Sequence, residues 1–145
     1  MMSTSADAGR EDQRPALQLE LERNPEAPAL ARAAVVACCE NRELSASTME
    51  TLRLLVSETV TNAVSHPDVD PPGVIGLSVN INKATVRVEV SDQGRGFTPQ
   101  PRDPTQLGGN YGLFLVEKES ANWGVEQRPH TTVWFELALK AESVV

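Results

Sequence analysis

Glu58-Thr59-Val60-Thr61-Asn62-Ala63-Val64-Ser65-His66 is the stretch on which the reading of this chain turns. It closes a helix that the sequence starts near Ser47, where Ser47 and Glu50 read as a capping box, and stops at Pro67. At 3.6 residues per turn, Met49, Leu52, Val56, Val60 and Ala63 form one apolar stripe. Glu58 and Asn62 lie one above the other on the opposite side, flanked by Leu54 and Leu55. The helix is therefore expected to be buried on both faces, with a carboxylate and a carboxamide set into the second. A buried carboxylate needs a partner or a task. A solvated face carrying an unrelated Glu and Asn is the plainer alternative.

Outward from this helix, alternation marks the strands. Leu17, Leu19 and Leu21 alternate with polar residues until Asn24-Pro25, and a helix follows from Pro28 to about Asn41. Ile75 to Ile81 and Ala84 to Ser91 flank an Asn82-Lys83 turn and read as an antiparallel hairpin. Tyr111 to about Ala121 reads as a helix, with Gly112 in its first turn, and Trp123–Gln127 and Thr131–Leu139 as two more strands. Strands that come as hairpins, with few crossover helices, predict an α+β two-layer sandwich: a mainly antiparallel sheet with helices on one face. Residues 1–14 and 141–145 are expected to be tails around a single domain over 15–140.

The chain has 145 residues, enough for one domain with a core; 40% are hydrophobic and 23% charged. A net charge of -7 argues against a nucleic-acid binder. No apolar run approaches the roughly 20 residues that span a bilayer, and no signal-peptide core opens the chain, so a cytoplasmic protein is expected. Cys38 and Cys39 are adjacent, which suits neither a disulfide staple nor a metal-ligand spacing.

Two further motifs carry chemistry. Asp92 continues the register of Val86, Val88 and Val90, so its carboxylate points to the core side at a strand end; Gly94 and Gly96 follow it. Taken alone, this is an ordinary strand-to-turn exit. Gly108-Gly109-Asn110-Tyr111-Gly112-Leu113 places glycines before a helix N-terminus, where free N–H groups and the helix dipole favour a phosphate. Taken alone, it is a flexible loop; without Gly-Lys-Ser/Thr it is no Walker A loop.

The pieces in this order are more specific. Glu-x-x-x-Asn, Asp-x-Gly-x-Gly, a Gly-rich lid and Thr131-Thr132 on a last strand resemble the GHKL (Bergerat-fold) ATP-binding domain of gyrase-type, chaperone-type, histidine-kinase and mismatch-repair ATPases. The short lid and the lack of a histidine-bearing helix pair resemble its small bacterial branch, the anti-sigma-factor serine/threonine kinases. Leu55 to His66, Tyr111 to Val116 and Trp123-Gly124-Val125 are similar to that branch in particular.

The resemblance implies ATP and Mg²⁺ as cofactors. It makes Asn62 the Mg²⁺ ligand, Glu58 the general base and Asp92 the acceptor for the adenine amine. Gly94 and Gly96 would allow close backbone approach, Gly108, Gly109, Gly112 and Leu113 would form the lid, and Thr131 or Thr132 would support Asp92. It implies a sigma factor and a STAS-type antagonist protein as partners and is compatible with a homodimer. Three readings follow: a serine/threonine kinase, an ATP-binding regulatory module that acts by partner binding, and a detached histidine-kinase catalytic domain. Three positions depart from the family pattern, the first being Pro67, which follows His66 where a small residue is usual. Asn110 stands for a lid glycine, and His130 stands for the glycine before the last strand. No lysine lies in the lid itself, and Arg95 and Arg102 are the cations that precede it.

Overall fold

The computed structural model describes residues 15–64, 73–92, 107–126 and 131–139, with backbone alone at 107–112. Among these residues the order is β1 (Leu17–Glu22), α1 (Ala27–Cys39), α2 (Ala46–Val64), β2 (Val74–Ile81), β3 (Thr85–Asp92), α3 (Leu107–Glu119), β4 (Asn122–Glu126) and β5 (Thr131–Ala138). The five strands form one antiparallel sheet in the order β1-β2-β3-β5-β4.

The alternation seen in the sequence is the pleat. On β3 every second residue from Val86 to Asp92 is buried. Register aligns Leu21, Ile75, Asp92 and Thr131 in one row across the sheet, and Leu17, Val79, Val88, Phe135 and Trp123 in another. These residues share the face on which the helices pack. α2 is the central helix: it lies against β2, β3 and β5 and between α1 and α3. α1 contributes Ala27, Ala31, Val35 and Cys39, all fully buried at successive turns. The expected α+β two-layer sandwich is the architecture observed.

Three local expectations are corrected. The cap of α2 is Ser45, whose Oγ accepts the Thr48 N–H at 3.1 Å, rather than a Ser47–Glu50 box. The buried stripe of α2 is Leu52, Leu55, Val56, Thr59 and Val60, with Met49 and Ala63 at its margin and Leu54 41% exposed. One face of α2 is thus buried, not two. α3 begins at Leu107, so Gly108 and Gly109 lie inside the helix rather than before it. A helix tolerates glycine at about 1 kcal/mol each, and packing of α3 along α2 supplies the compensating contacts. The turn of the β2–β3 hairpin is held by Asn82 Oδ1, which accepts the Ala84 and Thr85 N–H groups at 2.8 Å each.

On the outer face of the sheet, Arg87 lies 4.1 Å from the Trp134 ring centroid and donates to Glu89 (2.9 Å) and Glu136 (3.1 Å). Trp134 lies over Gly124, its cross-strand partner. A Cβ on Gly124 would come within 2.7 Å of the indole Nε1. Gly124→Ala is expected to cost about 1–2 kcal/mol by pushing the indole off the strand; urea unfolding of the variant measures it.

Cys38 and Cys39 are free thiols. Burial, and then the neighbouring Cys38, push the Cys39 thiol up to about 12. The folded thiol thus ionises later than the unfolded one at 9.0. Stability present below that value is lost as pH rises through it, by on the order of 1 kcal/mol per pH unit. An unfolding series carried upward through pH 9 should show a steeper decline than the same series in Cys39→Ala.

Candidate functional site

The site gathers at one end of the sandwich, where α2 runs out above the ends of β1 and β3. Asp92 ends β3 with its carboxylate in the core-facing register and its side chain only 3% exposed. Thr131 sits directly across from it on β5, on the same face, whereas Thr132 pairs with Ser91 and faces the other way. Of the two threonines, the register therefore sets Thr131 beside the carboxylate.

On α2, Glu58 and Asn62 are separated by four residues and so lie one turn apart on one face, both half-buried. Two hydrogen bonds steady this part of the helix. Thr59 Oγ1 donates to the Leu55 carbonyl at 2.6 Å, and Arg32 Nη1 of α1 donates to Ser57 Oγ at 2.7 Å.

The sequence reading missed Arg23. It follows β1 and continues the inward alternation of Leu17, Leu19 and Leu21, while its backbone N–H pairs with the Gly73 carbonyl. Its side chain is 6% exposed and ion-paired to Asp92 Oδ1 through Nη2. Nη1 donates to the carbonyl of Ala63, the residue after Asn62. One guanidinium thereby ties the end of β1, the end of β3 and the last turn of α2. The signal was present in the sequence. Arg23 continues a core-facing register one residue past the end of β1, and Asp92, of opposite charge, ends the core-facing register of β3.

The lid residues are placed by backbone. Gly108, Gly109 and Asn110 belong to the first turn of α3, whose N–H groups have no intrahelical acceptor, and Gly112 lies in the next turn. Leu113 is half-buried. Gly94, Gly96, Arg95, Arg102, His66, Pro67, His130 and both tails lie outside the described residues. Among the described residues, no group of three or more His, Cys, Asp or Glu could hold a metal ion. A hard cation that keeps its waters and binds mainly phosphate needs no such group, and a single amide oxygen suits it.

A buried acceptor at the core edge, with a half-buried Glu and Asn on the helix beside it, is an arrangement able to read a base amine and to offer a hard cation one amide oxygen. A two-layer sandwich with such a site is the architecture of the GHKL nucleotide-binding class. The chain belongs to the histidine kinase-like ATPase domain family, whose model matches residues 21–136.

Similar proteins narrow the branch. A protein named serine-protein kinase RsbW from Oceanobacillus iheyensis is 26% identical over 114 residues, covering 70% of this chain and 72% of that protein. A protein of the same name from Listeria innocua is 30% identical, covering 70% and 73%. An anti-sigma F factor from Geobacillus stearothermophilus is 31% identical over 82 residues, 56% of each chain. Among solved structures, the RsbU and RsbW domains of Rv1364c from Mycobacterium tuberculosis match with a TM-score of 0.65 at 21% identity. That match covers 85% of this chain and 32% of the other, so this chain spans about a third of that structure. The histidine kinase domain of the Erythrobacter litoralis EL346 blue-light activated kinase matches at 0.54 and 24% identity, covering 81% and 61%. At these identities the two structures speak to the fold alone.

Proposed function

We propose that this chain binds ATP with Mg²⁺ and phosphorylates a serine or threonine of a STAS-type antagonist protein, thereby regulating a sigma factor in the cytoplasm. The observation that carries the reading is the buried Asp92 carboxylate, joined through Arg23 to the turn of α2 that bears Asn62. The similarity to proteins named serine-protein kinase RsbW and anti-sigma F factor supports the choice of branch.

Bound ATP·Mg²⁺ supplies a transferable phosphoryl group with its charge neutralised. The chain's own residues do the rest. Asp92 accepts a hydrogen bond from the adenine amine, and Thr131 stands beside it. Asn62 offers its amide oxygen to the metal. Glu58, one turn earlier, takes the proton from the attacking hydroxyl. Gly94 and Gly96, which lie outside the described residues, would allow close backbone approach to the base. Gly108 and Gly109, in the first turn of α3, offer free N–H groups to the phosphates, and Gly112 and Leu113 complete the lid.

The test is transfer from γ-labelled ATP to STAS-domain proteins of the source organism. An acid-stable phosphoester on serine or threonine is the expected product. Acid-labile label would mark a phosphohistidine and a histidine-kinase partner instead. The second reading, an ATP-binding regulator that acts by partner binding, draws on one observation: Asp92 already holds an internal cation.

A further inference from the structure

The carbonyl of Ala63 lacks a helical partner by sequence alone. In an α-helix it would accept the N–H of the residue four further on, and that residue is Pro67, which has none. The last turn of α2 is therefore short of a donor at the residue next to Asn62, and it carries no basic residue of its own. Arg23 supplies the donor from the end of β1, through Nη1. A cation at a helix C-terminus is favoured by the helix dipole as well. The other arm of the same guanidinium, Nη2, donates to Asp92 Oδ1. A carboxylate at a strand end can turn about its side-chain bonds, and helix ends fray. Here both are tied to one rigid plane that is 6% exposed.

We propose that Arg23 is a positioning residue of the nucleotide site, holding the base-reading carboxylate of Asp92 and the turn of α2 that bears Asn62 at one fixed separation. The inference rests on the function proposed above, in which Asp92 reads the base amine and Asn62 offers its amide oxygen to the metal. One nucleotide must reach both residues at once. What each end contributes to binding therefore depends on a span that is set before the nucleotide arrives. Arg23 touches neither base nor metal and acts through the residues that do, as the partner behind a metal ligand does. It keeps both of its bonds when the nucleotide binds. A residue that merely staples the fold would behave differently. Its loss would lower stability and leave the balance between base and metal contributions as it was.

The experiment titrates the full chain and Arg23→Lys by calorimetry with ATP and with GTP, each with and without Mg²⁺. Lysine keeps a positive charge beside Asp92 but replaces the planar fork with a flexible stem. Two ratios are read. The preference for ATP over GTP without metal reports the placement of Asp92, and the gain in ATP affinity from Mg²⁺ reports the turn that bears Asn62. The expected result is a folded variant in which the Mg²⁺ gain falls by about tenfold and the preference for ATP falls with it. A folded variant in which either ratio keeps the value of the unaltered chain overturns the positioning role, while the nucleotide reading stands.

Should Arg23→Lys not fold, the unaltered protein gives the answer through ¹⁵N NMR of the Arg23 side chain, assigned through its own carbons. Its Nε–H is buried and should stay protected from exchange when the chain is saturated with ATP·Mg²⁺. Binding of ATP with loss of that protection overturns the positioning role alone. Absence of ATP binding to the unaltered chain, with and without Mg²⁺, overturns the nucleotide reading and the positioning role with it.

Discussion

Asp92→Asn is expected to lower ATP affinity by about 10- to 100-fold, the loss of a hydrogen bond from a base amine to a charged acceptor. The change is close to isosteric, so the site's shape survives. Its charge does not. Arg23, 6% exposed beside Asp92, would keep its positive charge with no counter-ion there. Removing one member of a buried pair costs about 3–5 kcal/mol, because the other is left uncompensated. A domain of this size holds roughly 5–15 kcal/mol, so the variant should remain folded with a clearly lower urea midpoint. Two measurements thus bear on one substitution. Unchanged ATP affinity would remove Asp92 from base recognition, and unchanged stability would mean that the Arg23 pair contributes nothing.

Glu58→Ala is expected to separate binding from transfer. A positioned general base contributes about 10²- to 10⁴-fold in rate. Glu58 lies one turn from Asn62 and is half-buried, so its removal opens no core cavity. Single-turnover phosphate transfer to the antagonist should fall by at least about 100-fold, with ATP affinity changed by no more than about threefold, the pattern of an interaction made only in the transition state. Equal transfer by the variant would take the base role away from Glu58.

Much of this was legible before any coordinates. Period-two alternation in Leu17–Leu21, Ile75–Ile81, Val86–Asp92 and Val133–Leu139 reports the sheet directly, because one face packs on helices and the other does not. The inward position of Asp92 followed from the same count. Local competition hid the remainder. Ser45, Ser47 and Thr48 are all fit to cap α2, and only the geometry of the turn selects Ser45 Oγ for the Thr48 N–H. Leu54 and Leu55 are one residue apart, a rotation of about 100° on a helix, and that rotation decides that Leu55 is buried and Leu54 is not. Gly108 and Gly109 argue against helix by propensity, yet α3 runs through them. Arg23 was masked by its neighbours, since a charged residue just before Asn24-Pro25 reads as the exit of a strand. Its pairing with Asp92 spans 69 residues of sequence, and no local pattern reports a contact of that range.

The central claim is that the end of this sandwich is a nucleotide site. Calorimetric titration of the full chain with ATP, in the presence and absence of Mg²⁺, tests it most directly. The account predicts saturable binding that tightens with Mg²⁺ and weakens in Asp92→Asn. No heat of binding at millimolar ATP, with or without the metal, would contradict it.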